Sequence, residues 1–266
     1  MRIVTVNVNG VRAALTKGFE QWLAGAQADV IALQEVRAPD EVVAAAFAEG
    51  WHVVHEACEI KGRAGVAILS RTPMQDVVSG LHVAGERLSA PVHTGRWIEA
   101  TVESPAGDVR IVSAYIHSGV VGTPKMDAKY LFLERMEKRL VEMIDAYPLA
   151  VVLGDFNIAH TNNDLKNWKG NLKTAGFLPE ERAYLTRWFE QDWADVHRGL
   201  EGDREGPYTW WSQRGKAFDT DTGWRLDYQM ATRDLAARAT SAKVDRAASW
   251  DSRWSDHAPL AIDYDL

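Results

Sequence analysis

The side chains able to do chemistry stand in five short stretches: Asn7 and Asn9 in VNVNGVR, Glu35 closing ALQE, Asp155 and Asn157 in GDFN, Asp227 in RLDY, and Asp256 with His257 in SDH. Carboxylates and amides supply oxygen ligands and proton acceptors, and an imidazole beside a carboxylate can carry a proton near neutral pH. Taken one at a time, each has an ordinary alternative. Asp155 could close an Asx turn, Asp256 could cap a turn, and Glu35 could end a strand in solvent. Asp227, between Leu226 and Tyr228, reads equally as a structural partner of Arg225 or Arg233. Asn7 and Asn157 could satisfy backbone groups, and an Asp-His dipeptide alone is a weak motif. Together they differ from chance in one respect: all fall at the ends of predicted strands, where open sheets gather their working loops.

Those strands are legible from alternation and apolar runs. Over Arg2–Asn9, Val4, Val6 and Val8 fall on one face, leaving Thr5, Asn7 and Asn9 on the other. The spacing predicts a helix over Val11–Leu23 ending near Gly25, then a buried strand over Asp29–Gln34 that delivers Glu35. GVAILS from Gly65, RWIEATV from Arg96 and VRIVSAYI from Val109 read as further strands. Met126–Tyr147 has helical apolar spacing and stops at Pro148, after which LAVVLGDFNI forms a strand carrying Asp155 and Asn157. Pro179–Gln191 reads as a helix with Glu180 and Glu181 in its first turn, where acidic groups complement the helix dipole. WRLDYQMAT from Trp224 and PLAIDY from Pro259 complete the strands. Their irregular alternation with helices points to an α/β protein with mixed sheets.

Composition narrows the class. With 266 residues, 46% hydrophobic and 25% charged, the chain has ordinary globular usage, which excludes a disordered or membrane class. The opening MRIVTVNVNG lacks a signal peptide's unbroken apolar run, so a cytoplasmic protein without a targeting segment is expected. Cys58, the only cysteine, excludes an intramolecular disulfide and a cysteine-based zinc cage. A net charge of -7 argues against a polyanionic partner unless the acidic residues gather around a bound cation, which would reverse the local field.

In their order, NxNGxR (Asn7 to Arg12), LQE (Leu33 to Glu35), GDFN (Gly154 to Asn157), RLD (Arg225 to Asp227) and SDH (Ser255 to His257) resemble the exonuclease III family of AP endonucleases. The likeness takes in NDLKNWKGNLKTAGFLPEER from Asn163 and spans nearly the whole chain. It implies a single catalytic domain over residues 1–266, an α/β four-layer sandwich with two packed mixed β-sheets flanked by helices. It also implies a metal-dependent DNA repair nuclease that hydrolyses the phosphodiester 5′ to abasic sites, with 3′ to 5′ exonuclease and 3′-end-cleaning activity. Glu35 would be the principal ligand of Mg2+, with Mn2+ as substitute, joined by Asp256 and Asn7, and with Asp155, Asn157 and His257 as further ligands. Asp155 would orient or deprotonate the water, Asp227 would hold His257 toward the phosphate, Tyr115 would contact the phosphate, and Asn157 would steady developing charge.

Asn9, Arg12, Trp210, Trp224 and Leu226 would meet the substrate, the last three lining a pocket for an extrahelical abasic sugar. Flipping such a nucleotide costs less than flipping an intact one; core packing is the ordinary alternative for the aromatics. Lys61, Arg63, Lys166 and Lys173 could contact the DNA backbone or simply be solvated. The expected partner is double-stranded DNA containing abasic sites or blocked 3′ ends, met by a monomer with no membrane role, nucleoid-associated when bound, and without an added regulatory tail. One departure stands out: relatives place Asn or Gln three residues after Tyr115, where this chain has Ser118 in YIHSGVVGTPKMDAKY. Ser118 acting through water, His117 or Lys125 are the alternatives for that contact. Two competing readings are a phosphodiesterase of the same superfamily on another phosphate ester and a non-catalytic nucleic-acid-binding regulator.

Overall fold

The computed structural model describes residues 1–266. In chain order the strands are β1 (Arg2–Asn7), β2 (Val30–Gln34), β3 (His52–Glu56), β4 (Val66–Ser70), β5 (Met74–Ser79), β6 (His82–Val83), β7 (Glu86–Arg87), β8 (Trp97–Val102), β9 (Val109–Tyr115), β10 (Ala150–Asp155), β11 (Trp193–Asp195), β12 (Asp227–Thr232), β13 (Ala239–Val244) and β14 (Leu260–Tyr264). The α-helices are α1 (Val11–Thr16), α2 (Phe19–Gly25), α3 (Asp40–Ala46), α4 (Pro124–Ala146), α5 (Pro179–Glu190), α6 (Val196–Glu201) and α7 (Arg233–Ala236). One six-stranded sheet has the order β13-β14-β1-β2-β4-β3, the other β11-β12-β10-β9-β8-β5, and β6 with β7 forms a small hairpin.

The sheets are built alike. β1 runs parallel to β2, and β9 to β10, while β14, β4, β12 and β8 flank these pairs antiparallel. The carboxyl ends of the parallel pairs and the amino ends of β12 and β14 therefore meet at one end of the sandwich. The period-two rule explains the layers. Ile3, Ala32 and Ile68 from one sheet meet Ile111, Val151 and Leu153 from the other in the central core. Val4, Val6, Ile31 and Leu33 point outward onto α1 to α3, whereas Val112, Val152 and Met230 point outward onto α4 and α5. Helices, two sheets and helices make the four-layer α/β sandwich.

Near the working end the space between the sheets turns polar. Thr5 Oγ1 donates to Gln34 Oε1 at 3.1 Å, and Gln34 Nε2 donates to Ser113 Oγ at 3.0 Å, bolting one sheet to the other. Such buried bonds register the sheets because an unmade one costs about 1–3 kcal/mol.

Two expected elements differ. The helix expected over Val11–Leu23 is two, broken at Gly18, whose φ of 110° is one that side-chain-bearing residues rarely adopt. The strand expected from Trp224 begins at Asp227, because Trp224 pairs instead with Leu165 and Trp210 in isolated bridges.

Candidate active site

Six functional side chains come from strand ends: Asn7 closes β1, Glu35 follows β2, Tyr115 closes β9, Asp155 closes β10, Asp227 opens β12, and His257 precedes β14. Asn7 joins the two sheets. Its Nδ2 donates to Glu35 Oε1 at 2.8 Å and to Asp155 Oδ2 at 2.9 Å, so two acids 120 residues apart in the chain share one amide. The Asn7 Oδ1 accepts the Asn9 N–H at 2.9 Å, and Asn9 Nδ2 donates to Asp256 Oδ1 at 2.8 Å. Trp210 Nε1 donates to the other Asp256 oxygen at 3.1 Å. Glu35 and Asp256 thereby border the same cavity of about 760 Å³, with Tyr115, Asp155, Asn157 and His257.

The backbone makes this convergence possible at some local cost. Asn9, Glu35, Arg37 and Asn157 all have φ between 48° and 52°. Left-handed backbone is uncommon outside glycine and is kept where surrounding structure over-determines it. Gly154, just before Asp155, is required for another reason: a Cβ there would lie 1.9 Å from the Ala114 carbonyl oxygen of β9. Only glycine lets β9 and β10 deliver Tyr115 and Asp155 side by side.

Asp227 stands behind the cavity, fully buried, and its Oδ2 lies 2.8 Å from His257 Nδ1. The opposite ring nitrogen, Nε2, faces Asp155 Oδ2 at 3.7 Å. Burial disfavours a charged ring, but Asp227 and Asp155 outweigh it and push the His257 pKa up to about 10. Burial likewise pushes the Asp155 carboxyl up, to about 7; His257 opposes this, while Asp227 and Glu35 add to it. Tyr115 stays a phenol well above its usual range through burial and the nearby Glu35 and Asp155. Its ring also lies 4.6 Å beneath the Arg96 guanidinium.

The donor set fits a hard divalent cation. Glu35, Asp155, Asp227 and Asp256 place four carboxylates here; Arg37 pairs with Glu35, and Asp227 Oδ1 is buried without any partner. Oxygen ligands of this kind suit Mg2+-like ions. Asp155, Asp227 and His257 also lie within 4.8 Å of one another, but His257 already fills the space between the two acids. Of the four carboxylates, Glu35 and Asp256 are the more exposed to the cavity.

Trp210 and Trp224 form the wall beside Asp256, ring centroids 6.3 Å apart and edge to face, with Leu226 next to them. These three line the cavity, as does Asn9. Arg12 does not: it is exposed on α1. Ser118 lines the cavity directly, whereas His117 is buried against His93, Nε2 to Nδ1 at 3.0 Å, and Lys125 borders a smaller side cleft. Of the candidate backbone cations, Arg63 lines the cavity and Lys166 pairs with Glu205 at 2.5 Å. Arg37, Arg96 and Gly176 are site residues that motif reading passed over. Arg37 had one available signal, a cation two residues after Glu35.

Two buried and two half-buried carboxylates thus surround an Asp-His pair at one end of the two sheets. The chain belongs to the Endonuclease/Exonuclease/phosphatase family, whose model matches residues 4–257. Within it the chain falls with exonuclease III and the AP endonucleases. It is 32% identical over 263 residues to the exodeoxyribonuclease of Bacillus subtilis (strain 168), covering 98% of each chain. Its structure is similar to a 3′-5′ exonuclease from Neisseria meningitidis and to an AP endonuclease from Archaeoglobus fulgidus, each at TM-score 0.88 and 29% identity over 100% of both chains. No helix is long and apolar enough to cross a membrane.

Proposed function

We propose that this chain is a metal-dependent DNA repair nuclease, a single catalytic domain that cuts the phosphodiester 5′ to abasic sites and trims 3′ ends, using Mg2+ or, in its place, Mn2+. The observation that carries the reading is the amide of Asn7 shared between Glu35 and Asp155, with Asp256 tied in through Asn9. Domain unity is supported by β1 pairing with both β2 and the last strand, β14. Family membership and the names of the similar nucleases support DNA as substrate.

Glu35 and Asp256, with Asn7 beside them, would hold the cation, and Asp155 and Asn157 would be the donors for a second; His257, charged and paired with Asp227, has no lone pair to offer a metal and takes the phosphate role instead. When bound, the cation supplies Lewis-acid charge at the phosphoryl oxygen and lowers the affinity of neighbouring carboxyls for protons. Asp155 accepts the proton of the attacking water. Both its oxygens are aimed by fixed donors: Oδ1 by the Asn157 N–H at 2.9 Å, Oδ2 by Asn7 and by Asn157 Nδ2 at 3.1 Å. His257, kept charged by Asp227, donates Nε2–H to the phosphate, and the Tyr115 hydroxyl donates beside it. Arg37 and Arg63 at the cavity and Arg96 in the adjoining cleft are cations positioned to meet phosphates despite the net -7.

Trp210, Trp224 and Leu226 offer an apolar wall suited to a sugar that carries no base, which is cheaper to flip out than an intact nucleotide. A 5′-labelled duplex with one abasic site, compared with its intact counterpart in Mg2+ and in EDTA, tests the reading. Metal-dependent cutting 5′ to the abasic site is expected; equal rates on both duplexes would favour a general phosphodiesterase, and binding without cutting a regulator.

A further inference from the structure

Lys129 on α4 and Glu181 in the first turn of α5 are both fully buried and lie outside the catalytic cluster. Lys129 Nζ is 2.5 Å from Glu181 Oε1, and it donates to the carbonyl of Asn157 at 2.9 Å and of Ser118 at 3.3 Å. Glu181 Oε2 accepts the N–H of Gly176 at 2.6 Å and of Leu178 at 3.1 Å. A buried ion pair is a poor stabiliser compared with apolar residues of the same volume, so the remaining bonds are the informative ones. Ser118, Asn157 and Gly176, which take three of them, all line the site cavity.

Two glycines show how closely these segments are drawn in. A Cβ on Gly119, at φ 73°, would lie 3.1 Å from Lys129 Cδ. On Gly176, at φ 92°, it would lie 3.0 Å from the Asn157 carbonyl oxygen and 3.5 Å from the Trp224 ring. The ammonium thus holds the Ser118–Val121 lip and the Asn157 turn, and the carboxylate holds the Gly176 turn against Trp224.

We propose that Lys129 and Glu181 form a positioning pair that sets the spacing of these three cavity segments, fixing Asn157 against Asp155 and the width of the cavity beside Trp224. The proposal rests on the nuclease reading above. Misplacing a reacting group by about 1 Å costs on the order of 10²-fold in rate, so a fixed spacing is worth building.

The decisive variant is the double substitution Lys129→Met with Glu181→Leu, which removes the charges but keeps the volume filled. Its melting temperature is expected near the wild-type value, because apolar replacement of a buried pair is often neutral or stabilising. Its kcat on an abasic duplex is expected to fall roughly 10- to 100-fold, with KM changed less than about threefold, since misplacement affects the chemical step. Preference for abasic over intact duplex, read as binding anisotropy in EDTA, is expected to narrow. Glu181→Gln, which keeps an acceptor for the Gly176 N–H, is expected to lose less. Wild-type kcat and wild-type binding preference in either folded variant would overturn the pair's role. Absence of metal-dependent cleavage by the wild-type protein would instead overturn the nuclease reading, leaving the binding comparison to decide the pair.

Discussion

Arg225 and Asp227 are separated by one residue, yet they belong to two buried charged clusters of opposite character. Arg225 is held bidentately by Asp164 at 2.7 and 3.1 Å and by Asp195 at 2.7 and 3.1 Å, and Arg198 reaches Asp164 at 2.5 Å. Two carboxylates meet two guanidiniums, and no negative charge is left over. Around Asp227, four carboxylates have only two cationic partners within ion-pair distance, His257 and Arg37, and one carboxylate oxygen has no partner at all. The proton affinities follow the same division. Burial would raise both Asp164 and Asp155, but Arg225 and Arg198 drive Asp164 well below the ordinary range, whereas Asp155 is left at about 7. Buried charge is therefore no mark of function by itself; buried charge without an internal answer is. The first cluster braces Trp224 and Leu226, and under the nuclease reading the second would be answered by a cation and a phosphate.

Replacing Asp155 by Asn should separate the two clusters most sharply. It removes the aimed proton acceptor but keeps the volume, so single-turnover cleavage of an abasic duplex should fall by about 10³-fold or more, a general base plus charge stabilisation at this site. Thermal melting should stay level or rise, because a poorly compensated buried carboxylate has been neutralised; a large fall in melting temperature would place Asp155 among the structural acids instead.

Arg225→Met is the converse. Stranding Asp164 and Asp195 without their guanidinium should cost about 3–5 kcal/mol in chemical denaturation. Activity should decline only as the folded fraction does, or through a loosened Trp224. Retained stability would show that the compensation between these charges is less complete than the geometry indicates.

A smaller change is expected from Asp227→Asn, and it appears on the pH axis. The His257 pKa is raised in the folded state to about 10 against 6.5 unperturbed, so its stabilising share is fully present below about 6.5 and is lost as pH rises toward 10. Without Asp227 the alkaline limb of kcat/KM should move down toward neutrality, and NMR titration of the ring should move with it. An unchanged limb would sever His257 from Asp227. Least of all should change on Arg12→Ala. This exposed side chain lies outside the cavity, so kcat should stay within about twofold, with a modest salt-dependent loss of DNA affinity at most.

Much of this was legible before any fold was known, for identifiable reasons. β2, β9 and β10 are buried on both faces, so their largely apolar runs stand out, and the acids and amides at their ends inherit that clarity. β5 and β13 were not read because they are half-exposed edge strands: β5 carries an irregularity around Asp76 at φ 49°, and β13 reads ATSAKV. Alternation fades where one face meets water. Arg96 and the Lys129–Glu181 pair are hidden in the sequence for a different reason. Arg37 had its signal in sequence, two residues after Glu35, but for Arg96 and the Lys129–Glu181 pair the partners lie on other elements, and a lysine inside a helix or an arginine at a strand end looks solvated until the fold buries it. Asn7 lay within a motif, but that its amide would span two sheets follows only from their packing.

Crystals soaked in Mn2+ and measured at its absorption edge test the central claim most directly. An anomalous peak bonded to carboxylate oxygens of both Glu35 and Asp256, lost in Glu35→Ala crystals that keep the fold, is the predicted result. A Mn2+ peak away from this pair, or Glu35 remaining bound to Arg37 while the ion sits elsewhere, would contradict it.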